Sequence, residues 1–250
     1  MHFQDLVALG ISLFLGIWLC VLLFKRLVWR HFPLFFAFGL YATATAAARL
    51  LTVTHYRIYF YTFWWTDALL LVLSLAALHE VFYWMFEGFY ELWWFRVPYY
   101  GAIVAVIAIG IRDAIVSPPV QALPVISVIL DVGIGVNLLL AGMSSLFFVL
   151  RKLFVVEFRR YAYGIVLGFG ISGLGPLLGY LARSEFGTKL ESFARYSAAV
   201  GYIVAVVIWI HAFIRPEPEE EEWAPPVSPE RMLEEVSAYL EAMGIGKKKP

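Results

Sequence analysis

Long apolar runs separated by short polar ones set the pattern of this 250-residue chain. Seven runs can be drawn: Leu6–Phe24, Leu34–Val53, Phe60–Phe86, Pro98–Val116, Pro124–Leu150, Tyr161–Leu181 and Tyr196–Ile214. Each lies near the roughly 20 residues that an α-helix needs to cross the hydrocarbon of a bilayer. Their ends carry the expected punctuation. Lys25, Arg26 and Arg30 close the first run, Ser117-Pro118-Pro119 the fourth, Arg151 and Lys152 the fifth, and Arg215-Pro216 the seventh. The pattern predicts an all-α bundle of seven transmembrane helices over residues 1–215. After it come an acidic, proline-rich linker over 216–227 (PEPEEEEWAPPV) and a short element over 228–250. In that element Ser228-Pro229 reads as a helix start. Met232, Leu233, Val236, Tyr239, Leu240 and Met243 recur at helical spacing, and Gly244 ends the run. The tail is thus expected to be an amphipathic helix on the cytoplasmic side, resting on lipid, on the protein's own loops or on a protein partner through 228–244.

Composition supports lipid as the solvent. The chain is 62% hydrophobic and only 15% charged, with a mean hydropathy of +0.78, against about 25% charged residues in an ordinary soluble domain. Net charge is zero but unevenly placed: nine acids and four bases fall from Pro216 onward, leaving ten acids and fifteen bases before it. A basic membrane domain fits contact with anionic lipid, and nothing in it has the footprint of nucleic-acid binding. With the N-terminus outside, the inner loops hold Lys25, Arg26, Arg30, Arg96, Arg151, Lys152, Arg159 and Arg160, and the outer loops hold Arg57, Arg183, Lys189 and Arg195. The excess of inner cations orients the N-terminus out and the C-terminus in, in a multi-pass arrangement. Trp29, Trp64, Trp65, Trp84, Trp93 and Trp94 fall near run ends, where indoles anchor at headgroups. The first run has no basic leader or small-residue cleavage site, so it reads as a retained helix. Cys20 is the one cysteine and reads as a small packed residue.

Charges inside apolar runs are costly, so they pair, line a wet cavity or reach the interface. Asp67 and Asp131 each lie about seven residues, roughly 10 Å, below the outer ends of their runs. Arg49, Arg112 and Asp113 lie at similar or shallower depth. Arg49–Asp67 and Arg112–Asp131 are the expected pairs, acting either as register-holding contacts or as the lining of a ligand or ion cavity. Toward the inner side stand His79, Glu80, Glu87 and Glu91, with His211 near the end of the seventh run. His79-Glu80 lacks the second histidine of a zinc-protease HExxH helix. Glu80, Glu87 and Glu91 share one helical face, which reads as an interfacial polar stripe meeting Arg96 or as a proton relay. His79 and His211 also admit haem ligation between helices. No metal, cofactor or catalytic residue set is assigned.

The sixth run is rich in glycine. Gly168-Phe-Gly170-Ile-Ser-Gly173 matches a dinucleotide-binding spacing, but inside an apolar span with no preceding strand it carries no such meaning. Gly164/Gly168 and Gly175/Gly179 fit close helix packing. Gly175-Pro176 is expected to kink the helix or act as a hinge. Asn137, Ser144 and Ser145 in the fifth run are expected to make interhelical hydrogen bonds.

Tyr59-Phe60-Tyr61-Thr62-Phe63-Trp64, the triplet Asp67-Ala68-Leu69, the run His79-Glu80-Val81-Phe82 and Gly164-Ile-Val-Leu-Gly168-Phe-Gly170-Ile resemble an uncharacterised family of bacterial seven-helix integral membrane proteins. In that family the triplet usually begins with Glu and Tyr commonly precedes the second acid, where this chain has Asp67 and His79. The resemblance implies the membrane fold and brings no assigned activity. Three classes of function follow from the residues: non-enzymatic binding or sensing of a small ligand or ion from the outer side with a tail for partner contact, transport of a small solute or ion, and a haem- or quinone-associated membrane protein.

Overall fold

The computed structural model describes residues 3–86, 93–116, 124–154 and 159–216, with Glu234, Ser237 and Ala238 of the tail. Among these residues there are seven α-helices and no strand. They are α1 (Phe3–Lys25), α2 (Pro33–Thr52), α3 (Tyr56–Met85), α4 (Trp93–Val116), α5 (Pro124–Phe154), α6 (Arg160–Phe186) and α7 (Glu191–Ile214), with 3₁₀ turns at Val28–Arg30 and Gly187–Leu190. Six are long and apolar enough to cross a membrane. The exception is α4, whose apolar part is the shorter stretch Tyr99–Arg112. By helix length and composition this is a multi-pass membrane protein, and its outward faces agree. Phe14, Leu51, Val72, Val104, Leu138 and Val200 are all more than half exposed, a surface that suits lipid and not water.

Around the bundle α1 packs on α2, α2 on α3, α3 on α5, α5 on α6, α6 on α7, and α7 back on α1, while α4 lies against α5. The centre is filled by rings. Phe35 and Phe38 of α2 meet Phe169 of α6 and Trp209 of α7 with centroids 5.1–5.9 Å apart. A second knot joins Phe82 and Phe86 to Phe147 of α5 at 6.0 and 5.4 Å. All of these except Phe38 are fully buried. Edge-to-face pairs of this kind add about 0.5–1.5 kcal/mol each beyond the area they bury.

Glycines let the backbones approach. A Cβ on Gly168 would fall 2.1 Å from Trp209 Nε1, so the missing side chain is the slot that holds the indole, whose N–H donates to the Ile165 carbonyl at 3.2 Å. A Cβ on Gly175 would meet the Ser197 carbonyl at 2.6 Å, and Gly201 stands opposite. Gly170 and Gly173 do the same toward Ser144 and Leu140 of α5, so α6 presents glycine to both neighbours. Helix α6 runs unbroken through Pro176. The close α6–α7 contact falls at Gly175, directly before Pro176.

Candidate functional site

The polar cluster around Arg49 and Asp67 is built at the α2–α3 contact. Arg49 stands one turn from the end of α2, and α3 begins at Tyr56, so the short Val53–His55 turn brings Arg49 beside Phe63, Thr66 and Asp67. The guanidinium donates to Thr66 Oγ1 through Nε at 3.2 Å and Nη2 at 2.9 Å, and to the Phe63 carbonyl at 3.2 Å. It also lies 4.4 Å over the Phe63 ring. Its contact with Asp67 Oδ1 is longer, 3.4 Å. The arginine side chain is 14% exposed and the aspartate 38%. The pair is therefore asymmetric. Arg49 is held by several partners, whereas Asp67 receives one long hydrogen bond and keeps much of its carboxylate open.

The same layer extends toward α1 and α7. Cys20 Sγ lies 3.4 Å from Thr43 Oγ1, and the Thr43 hydroxyl donates to the Gly39 carbonyl at 2.8 Å. Tyr202 of α7 is within electrostatic reach of both Cys20 and Arg49. Thr43, Thr66 and Tyr202 were not singled out from the sequence, and Phe63 only as part of the aromatic motif Tyr59–Trp64. Threonines and tyrosines in apolar helices are common, and only the contacts of Phe63 and Thr66 with Arg49 and of Thr43 with Cys20 mark these. For Thr66 a signal existed, since it directly precedes Asp67.

Arg112 and Asp131 are not brought together as an ion pair. Helices α4 and α5 cross where Gly110 meets Val132, with a Cβ on Gly110 falling 2.9 Å from the Val132 backbone. Arg112 is two residues on, about 200° around the helix, and its side chain is exposed. Asp131 is half-buried on α5. Asp113 lies within α4, and its side chain is outside the described residues, as are Glu87 and Glu91. Asn137 turns back on its own helix, donating to the Gly133 carbonyl at 2.8 Å, and Ser145 likewise to Ala141 at 2.9 Å. Of the three polar residues expected to bond across helices, Ser144 does, to the Val166 carbonyl at 3.0 Å.

Of the stripe expected from Glu80, Glu87 and Glu91, only Glu80 lies within the described residues. Its carboxylate accepts from the backbone N–H of Leu34, 3.1 Å from each oxygen, and from that of Phe35 at 3.1 Å. These are the second and third residues of α2, whose first is Pro33 and whose own cap position, Phe32, has no side-chain acceptor. Phe36 N–H donates to the Phe32 carbonyl at 3.0 Å. With proline lacking an N–H, the donors that open α2 are accounted for, two of them by a carboxylate from another helix. Arg26 does the converse, donating to the carbonyls of Phe213 and Ile214 at the end of α7, where a cation is favoured. These contacts place the α1–α2 turn, the part of α3 around Glu80 and the end of α7 at one end of the bundle.

The two histidines face different neighbours. His79 Nδ1 lies 2.7 Å from the Tyr99 hydroxyl of α4, among the rings of Tyr83, Tyr99 and Tyr100. His211 lines a groove between α6 and α7. Among the described residues no group of three His, Cys, Asp or Glu is placed to hold a metal ion. The tail helix predicted over 228–244 lies outside the described residues apart from Glu234, Ser237 and Ala238, which are helical and exposed. No protein-family model, curated protein or solved structure matches this chain.

Proposed function

We propose that this chain is a seven-span protein of the bacterial inner membrane, N-terminus out and C-terminus in, that binds a small cation or cationic ligand from the outer side without enzymatic chemistry. Its tail, 228–250, is the cytoplasmic contact for a partner. The orientation is supported by the excess of Lys and Arg at the end of the bundle where Arg26, Glu80 and the end of α7 meet. In this reading α4 spans as well, its polar ends lying at the headgroups.

The observation that carries the binding reading is the asymmetry at Asp67. A carboxylate offers about four acceptor sites, and this one accepts a single long bond from an arginine already committed to Thr66 and Phe63. The open positions suit a cation or an amine. A through-path for transport is disfavoured by the rings of Phe35, Phe38, Phe169 and Trp209 across the centre.

The test is a thermal-shift panel of sodium, potassium, magnesium, calcium and simple alkylamines on the purified protein. A bound cation at 100 times its dissociation constant stabilises by about 2.7 kcal/mol. The expected result is a shift with one cation class that Asp67→Asn abolishes. No shift with any probe, or the same shift in Asp67→Asn, refutes the reading. Trypsin added to intact spheroplasts should leave the Lys247-Lys248-Lys249 end uncut, and cleavage there would invert the orientation.

A further inference from the structure

At the inner end of the bundle α5, α6 and α7 leave a groove of about 560 Å³, within the roughly 300–1,000 Å³ typical of small-molecule sites. Its lining has two zones. At the polar end stand Arg159, Arg160 and His211. A third guanidinium, Arg151, lies 4.5 Å over the ring of Tyr163, which also lines the groove. Deeper in the span the walls are Phe148, Leu167 and Ile208. Leu167 is seven residues past Arg160, about 10 Å along the helix axis, and is 41% exposed. The groove therefore runs from the basic end of α6 into the apolar band. Gly164 and Ala212, which also line it, touch each other, a Cβ on the glycine falling 2.3 Å from that of the alanine. Among the described residues that line it there is no acid.

We propose that this groove is a binding site for an anionic phospholipid. The phosphate sits at Arg159 and Arg160, and one acyl chain lies along Phe148, Leu167 and Ile208. A basic pocket between helices at the cytoplasmic side suits such a headgroup. A zwitterionic lipid would bring its ammonium to the same guanidinium groups. A soluble anion would leave the apolar half of the groove without an occupant. The inference rests on the chain spanning the bilayer with this end inward, and is independent of cation binding at Asp67, so each can fail without the other.

The test is native mass spectrometry of the full-length protein in detergent, titrated with phosphatidylglycerol or phosphatidylcholine of the same acyl chains. Phosphatidylglycerol should be retained more tightly. Each arginine contributes about fivefold, so Arg159→Gln with Arg160→Gln should weaken phosphatidylglycerol about 25-fold and leave phosphatidylcholine unchanged. Leu167→Trp, which fills the apolar arm and keeps every charge, should reduce both lipids. It decides the matter if the arginine variant does not fold. Inorganic phosphate in millimolar excess should not displace the lipid. Neutralising the acidic segment with Glu219→Gln, Glu220→Gln, Glu221→Gln and Glu222→Gln should leave affinity unchanged. Equal retention of the two lipids, unaltered binding in the variants, or displacement by phosphate overturns the proposal. Phosphatidylglycerol binding that arises only after the acidic segment is neutralised also overturns it, since that segment would then be the occupant.

Discussion

Replacing Glu80 with alanine strips two backbone donors at the start of α2 of their acceptor. The expected cost can be worked from the contacts. An N-terminal cap is worth about 0.5–2 kcal/mol, and leaving a buried donor unsatisfied costs about 1–3 kcal/mol. The Phe35 N–H is partly buried and would be left without an acceptor, whereas the Leu34 N–H is exposed. One full penalty and one partial one give about 2–4 kcal/mol for Glu80→Ala. Glu80→Gln keeps one acceptor oxygen but loses the charge that favours a helix N-terminus, so about 1–2 kcal/mol is expected. The assay is equilibrium unfolding in mixed detergent–dodecyl sulfate micelles, followed by far-ultraviolet circular dichroism. Alanine and glutamine variants both within about 0.5 kcal/mol of the parent would refute the capping role, since that is the size of an ordinary surface change. The result also separates capping from the proton relay that the sequence admitted. A relay carboxylate changed to glutamine would lose function and keep stability.

Two further substitutions probe packing. Gly168→Val must displace the Trp209 indole and break its bond to Ile165, so a loss of about 2–5 kcal/mol with a change in tryptophan emission is expected. Gly10→Ala, with nothing within 4 Å of the new Cβ, should be neutral or gain up to about 1 kcal/mol in the same unfolding assay. Tyr99→Phe removes the hydroxyl bonded to His79 while keeping the ring beside Phe82. It should cost about 1 kcal/mol and speed amide exchange in α4, and unchanged exchange would argue against His79 as an anchor for that helix.

How much of this was legible in the sequence differs by kind of contact. The helices were, because apolar runs of spanning length have no other way to satisfy their backbone in lipid. The Arg49–Asp67 contact was, because opposite charges at matched depth on consecutive helices joined by a short turn must face one another or water. Arg112 and Asp131 met the same depth criterion and do not pair. Rotation about the helix axis decided that, and Gly110 holds the rotation by taking the contact position. The capping contact of Glu80 was not legible because its partner is backbone, which leaves no side-chain pattern. A clue was nonetheless present: α2 opens Phe32-Pro33-Leu34 with no Ser, Thr, Asp or Asn to cap it, so its acceptor had to come from elsewhere. The contact of the Gly175 and Gly201 backbones beside Pro176 left no signal beyond the glycines themselves, because the partner glycine lies on another helix.

The α2–α3 pair is fastened at both ends by charge, and the spacing of the two fasteners bears on how the Asp67 end can influence the Glu80 end. On α3, Asp67 and Glu80 are thirteen residues apart, about 20 Å. On α2, Phe35 and Arg49 are fourteen apart, about 21 Å. The matched lengths let both fasteners close at once on a straight antiparallel pair. If they act only as independent clamps, Asp67→Asn and Glu80→Gln should add within about 0.5 kcal/mol in the unfolding assay, as changes so far apart normally do. If occupation of Asp67 from outside shifts α3 along α2, the inner clamp is strained by what happens at the outer one. The double variant should then depart from additivity by about 1 kcal/mol or more, and the departure should change when the stabilising cation is added. Strict additivity with and without cation would leave ligand binding possible but would remove α3 as the route by which it reaches the cytoplasmic side.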